Sequence, residues 1–209
     1  DPNVSNAIPN LPFENYFASD LILNSIISNE SIDLKNLLVI SPDMGAMERA
    51  RYYAEKLGSD VGLFYKRRDL SKVVNGKNPV VEHVYLGKDP KDLTVLVIDD
   101  MIASGGSMLD VAKELKERGA KKIILVSTFA LFTAGIDKFR KAYKNHYYDQ
   151  VYSTNLTYVP EEIKNEPWYT EVDCSILLAE IILSHHENRT VDIVDEELVN
   201  PDFSKERVN

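Results

Sequence analysis

The sequence predicts an α/β domain, doubly wound, with a mostly parallel sheet and helices on both faces. Three observations lead there. Short apolar runs of strand length recur along the 209 residues, at 37–40, 61–65, 94–98 and 123–127, and segments with helical spacing separate them. The central runs lack the polar alternation of a sheet with one wet face. One run, 95–98, ends in two adjacent aspartates and a glycine loop, as a strand feeding a ligand site does in such sheets.

Each element has its own justification. Residues 1–18 are rich in Asn and Pro and read as irregular. Ser19 is placed to cap a short helix running to residue 27. The strand at 37–40 is ended by Ser41-Pro42-Asp43. Met47, Ala50, Ala54 and Leu57 then repeat at helical spacing up to Gly58, a natural helix stop. Residues 61–65 form a second strand that leads into a long basic loop beginning at Lys66, and residues 80–86 read as an edge strand. After the strand at 94–98, Met108, Val111, Ala112 and Leu115 mark one face of an amphipathic helix over 107–118. Ser107 and Asp110 stand at capping-box spacing at its start, and Gly119 ends it. A strand at 123–127, a helix near 134–143 and strands at 151–154 and 169–172 follow. The last helix, 175–184, is apolar nearly all round, so it is either buried or at a subunit contact. Residues 1–188 read as one domain and 189–209 as a peripheral or mobile tail.

Composition narrows the function classes. Hydrophobic content of 44% and charged content of 27% are those of a globular protein with a real core. The net charge of −9 argues against nucleic acid and anionic membranes as partners. No run approaches the ~20 apolar residues that span a bilayer. One cysteine, Cys174, precludes an intrachain disulfide, which fits a cytoplasmic location, and its apolar surroundings read as structural rather than catalytic.

The chemistry concentrates in 95–108, VLVIDDMIASGGSM. Asp99 and Asp100 repel each other and lose hydration at the end of an apolar strand unless a cation or hydrogen-bond donors meet them. Vicinal sugar hydroxyls can donate to them, and Mg²⁺ favours such oxygen ligands. Ala103, Ser104, Gly105, Gly106 and Ser107 then form a small-residue loop beside a helix N-terminus, which is an anion site, and two of them add hydroxyls. Acids followed by an anion cradle suit a ribose 5-phosphate. The bland alternative is a strain-relieving glycine turn with solvated acids. Neither GxxxxGK[ST] nor GxGxxG is present.

These residues resemble the phosphoribosyl-binding motif of type I phosphoribosyltransferase folds. VISPDMGAMERARYYAEKLG and FYKRRD further resemble segments of ribose-phosphate pyrophosphokinases, in the same order, over roughly residues 1–185. The segments NGKNPVVEHVYLG and NLTYVPEE look like a longer bacterial branch of that family. The family transfers the β,γ-pyrophosphoryl group of ATP to the C1 hydroxyl of ribose 5-phosphate. The resemblance implies that Asp99 and Asp100 contact the ribose hydroxyls with Mg²⁺, that residues 103–107 hold the 5-phosphate, and that Lys66 and Arg68 neutralise charge on the transferred phosphates. It places Asp43 at a metal- or phosphate-proximal turn, although Asp43 is equally suited to cap the helix after it. It also implies a homo-oligomer. Two departures stand out. Ala103 occupies a position where the family usually has aspartate, and the chain corresponds to the second of the family's two similar halves, with Asp1 near the end of the first. Two other readings stay open on the same fold: a phosphoribosyltransferase that consumes the diphosphorylated sugar, and a regulatory paralogue that binds without catalysis.

Other residues invite sharper readings than they carry. Lys66-Arg67-Arg68 is short and lacks interleaved aromatics, so it is a poor nucleic-acid patch. His83, His146, His185 and His186 have no metal-ligand spacing. Trp168 and Tyr169 suit packing better than base stacking, and Tyr143, Tyr147, Tyr148 and Tyr152 read as surface or subunit packing.

Overall fold

The structure, a computed structural model, describes residues 14–68 and 80–191, with backbone alone at 66–68 and 80–83. Its strands are β1 (Leu37–Ser41), β2 (Asp60–Arg68), β3 (Val80–Leu86), β4 (Thr94–Ile102), β5 (Lys122–Ala130), β6 (Gln150–Thr154) and β7 (Tyr169–Val172). They form one sheet in the order β3-β2-β1-β4-β5-β6-β7, parallel except for the β2–β3 pair at one edge. Its helices are α1 (Ser19–Asn29), α2 (Met47–Leu57), α3 (Gly106–Glu117), α4 (Asp137–Lys144), α5 (Glu161–Lys164) and α6 (Ser175–His186). From β1 the chain steps one way to β2, and it later returns to place β4 on β1's other side. The strand order therefore reverses between β1 and β4, the point at whose carboxyl ends sheets of this kind form a ligand crevice.

Alternation along the strands explains why the central runs are apolar throughout. Val95, Val97, Ile123 and Leu125 face α3 and α4, through Met108, Val111, Ala112, Leu115 and Phe139. Leu96, Ile98, Ile124 and Val126 face α1 and α2, through Ile22, Leu23, Ile26, Ala50, Tyr53 and Ala54. Both faces are covered, so every position needs an apolar side chain. Each full burial of this kind contributes roughly 1.5–3 kcal/mol.

The structure corrects the sequence expectations at several points. Ser19 lies inside α1, whose cap position, Ala18, makes no side-chain bond. β2 runs on through Lys66 and Arg68 instead of ending at residue 65, because β3 pairs with it as far as Arg68 opposite Val80. β4 and β5 also outrun their apolar cores, sustained by mutual pairing at Met101–Phe129 and Ile102–Ala130. Tyr148 and Tyr152 are buried in this chain's own core rather than at its surface, while Tyr143 and Tyr147 pack on its margin. α6 is not buried, with Ile176 84% and Ile182 69% exposed. The irregular reading of 1–13, the loop at 69–79 and the tail from 192 lie outside the described residues. Among the described residues no helix is long and apolar enough to cross a membrane.

An aromatic cluster joins this core to the crevice. Phe139 stacks on Trp168 at 5.8 Å and meets Phe132 edge-on at 5.0 Å. Trp168 is fully buried, and its indole N–H donates to Glu166 at 2.9 Å, which is the packing role expected of it. Phe139→Ala is predicted to lower the unfolding free energy by about 3–5 kcal/mol in denaturant titrations. A loss below ~1 kcal/mol would show that the cluster is not part of the cooperative core.

Candidate functional site

Both acids lie within the extension of β4 beyond its buried segment. Asp99 is partly buried and Asp100 exposed. The Asp100 amide donates to Asp99 Oδ1 at 2.8 Å. Burial pushes the Asp99 carboxyl up to about 6; the Asp100 and Asp43 charges push the same way, against the Asp100 amide. The chain thus holds the Asp99 carboxyl in a place that disfavours its charge. Such a carboxyl, with a second acid beside it, invites a cation or hydroxyl donors.

Two carbonyls where β4 passes into the loop are committed. Ile102 O accepts from the amides of Leu131 at 2.8 Å and Phe132 at 3.2 Å, and Ala103 O accepts from Thr133 N at 2.9 Å. Gly105 caps α3 at φ 75°, in the left-handed region. A Cβ there would also lie 2.2 Å from the Phe139 ring, so Gly105 is required twice over. α3 begins at Gly106, and the amides of Gly106, Ser107 and Met108 have no carbonyl of a preceding turn to bind. Ser104 and Ser107 are exposed beside them, as is Ala103. Ser107 sits in the first turn and makes no cap, because Gly105 already holds the cap position. The capping-box expectation is therefore wrong, and the Ser107 hydroxyl is left for solvent or ligand.

Asp43 follows β1 across the crevice. Its Oδ1 accepts from Gly45 N at 2.8 Å and Ala46 N at 3.2 Å, capping the turn Met44–Ala46 that precedes α2. The capping role is thus present, and Asp43 still contributes charge at Asp99. Among the described residues no three His, Cys, Asp or Glu side chains form a metal-holding group. Any cation here would rest on one or two carboxylates plus ligand oxygens, the arrangement Mg²⁺ favours. Lys66 and Arg68 lie on the carboxyl extension of β2, at the same end of the sheet but beyond β1, and only their backbone is described. Cys174 is buried, and burial raises its thiol to about 11, which suits a structural role.

Sequence reasoning missed the brace at 131–133. Phe132 adopts φ 45°, uncommon for a bulky residue, while its ring stays in the aromatic cluster. No turn signature precedes it; the strain becomes apparent only when both β4 and the cluster are in place.

A profile of the phosphoribosyl transferase domain family matches residues 16–173. The chain is 34% identical to a ribose-phosphate pyrophosphokinase of Haemophilus influenzae over 173 residues, 82% of this chain and 51% of that protein. It is 31% identical to the enzyme of that name from Thermotoga maritima over 74% of this chain and 47% of that protein. Among solved structures, phosphoribosylpyrophosphate synthetase from Mycobacterium smegmatis superposes with a TM-score of 0.64 at 28% identity, covering 82% of this chain and 51% of that one. The chain spans about half the length of the curated relatives it matches. With its reversed strand order, paired acids and glycine-capped α3, the chain belongs to the phosphoribosyl transferase domain family.

Proposed function

We propose that this chain is the ribose 5-phosphate-binding part of an enzyme that transfers pyrophosphate from ATP to the sugar's C1 hydroxyl, giving phosphoribosyl pyrophosphate. One observation carries the reading: the partly buried Asp99 with Asp100 beside it, and an unpaired helix N-terminus, lie within a few residues of each other on one crevice. The likeness to ribose-phosphate pyrophosphokinases supports it. The phosphate is held by the amides of the 103–107 loop and first turn of α3, with the Ser104 and Ser107 hydroxyls. Asp99 and Asp100 accept the ribose hydroxyls. They also fit Mg²⁺, which when bound supplies positive charge to the acids and the reacting phosphates. Asp43 stands as an outer contributor to that charge balance. Lys66 and Arg68, whose backbone ends β2, are assigned to neutralising charge on the transferred phosphates. A cytoplasmic location and a homo-oligomeric state belong to the same proposal. Ala103 sustains a second reading, a paralogue that binds the sugar phosphate without catalysis, since no carboxylate stands at that point of the loop.

Calorimetric titration tests the assignment. Ribose 5-phosphate with Mg²⁺ is expected to bind saturably, and Asp99→Asn with Asp100→Asn to weaken it by about 100-fold or more. Unchanged binding would remove the acids from the site. Lys66→Ala is expected to leave the sugar phosphate within about twofold and weaken a non-hydrolysable ATP analogue by about tenfold. Equal affinity for the analogue would end the role of Lys66.

The acid pair also predicts a pH signature. Well below pH 4 the Asp99 carboxyl is neutral in both the folded and unfolded chain. Because its folded value is raised to about 6, the unfolded chain ionises first as pH rises, and stability falls between those limits. Asp99→Asn is therefore expected to match the parent at about pH 3. At pH 7.5 without divalent cations it should exceed the parent by about 1 kcal/mol after allowance for solvent screening, a rise of about 2–4 °C in Tm. A pH-independent difference would contradict the burial of Asp99.

A further inference from the structure

We infer that Ser127 is a positioning residue for Asp99, holding that carboxylate in the orientation that receives the sugar hydroxyls. The inference rests on the proposed ribose 5-phosphate site. Ser127 lies on β5 directly beside Asp99 in the strand register. The register continues to Met101–Phe129 without a shift, so alternation sends Ser127 and Asp99 to the same face. That face is otherwise apolar on β5, through Ile123 and Leu125. Ser127 is fully buried, and its hydroxyl has no hydrogen-bond partner.

An unpartnered buried hydroxyl costs free energy, and an alanine or valine would pack there without that cost. The position therefore carries a polar group at a disadvantage, beside the one partly buried acid of the crevice. A carboxylate accepts up to about four hydrogen bonds, and Asp99 takes one from the Asp100 amide. Adjacent strands lie about 4.8 Å apart, so Ser127 and Asp99 are immediate neighbours across the β4–β5 pair. Among the described residues two other buried side-chain oxygens lack partners, Tyr169 OH and Glu171 Oε2, but both lie on β7, two strands beyond β5. The neighbouring Ser153 hydroxyl is already committed to Thr128 O at 3.3 Å. Ser127 is thus the buried free hydroxyl placed at the acid pair. When ribose hydroxyls donate to Asp99 from the crevice, Ser127 donates from the sheet side and fixes the carboxylate between them.

Calorimetry on the full chain separates this from a packing role. Ser127→Ala is expected to bind ribose 5-phosphate about tenfold more weakly. It should bind inorganic phosphate, which needs only the amide loop, with parental affinity, and its Tm should not fall. Ser127→Thr, which restores the hydroxyl on a β-branched side chain suited to a strand, is expected to recover the sugar phosphate affinity. Parental affinity in Ser127→Ala overturns the inference, as does an equal loss for phosphate or a Thr variant no better than Ala. If the parent chain binds phosphate but not ribose 5-phosphate, the proposed function fails and this inference with it. If the parent binds the sugar phosphate and Ser127→Ala binds it equally well, only the inference fails.

Discussion

A carboxylate at the end of a buried strand must be met by something, and much of this molecule's architecture follows from that constraint. β4 has no polar position between Val95 and Ile98 and then carries Asp99 and Asp100 in succession. Desolvation, joined by the Asp100 and Asp43 charges, outweighs the Asp100 amide and raises the Asp99 carboxyl to about 6. A protein selected for stability alone would place neutral residues there. Groups held against their preferred state are characteristic of sites where a ligand supplies what the fold withholds.

The fold makes the arrangement possible in two ways. The reversal of strand order between β1 and β4 opens the crevice, with Asp43 on one side and the acid pair on the other. The aromatic cluster then sets the loop. Phe139 comes so close to Gly105 that no side chain fits, and the left-handed glycine turns the chain into α3 with its first amides free. The segment 131–133 ties down the carbonyls of Ile102 and Ala103. Core packing and the shape of the loop are therefore coupled through a single ring.

Much of this was legible in the sequence. Fully apolar central strands announced a sheet covered on both faces, and both cores are present. The order of strand, paired acids, small-residue loop and helix located the crevice, because each part reflects a local rule of charge or backbone freedom. What escaped was set by partners distant in sequence. β2 continues through Lys66 and Arg68 because β3 pairs with it, and no property of KRR encodes that. Ser107 has the composition of a cap but loses the position to Gly105, which the Phe139 contact selects. Tyr148 and Tyr152 look like surface aromatics in a polar stretch, yet Tyr148 OH donates to Phe139 O and Tyr152 OH to Glu30, and those partners make burial tolerable. The all-round apolar pattern of α6 left burial and a subunit contact both open, and its exposure in this chain removes the first.

The account turns on whether one pentose phosphate can span the two halves of the crevice. A crystal structure of the chain with ribose 5-phosphate and Mg²⁺ asks this directly. The account predicts the phosphate oxygens within about 3 Å of the amides of the 103–107 loop and the first turn of α3, with the ribose hydroxyls on Asp99 and Asp100. A sugar phosphate bound elsewhere, or one seated with its phosphate away from these amides, would contradict it.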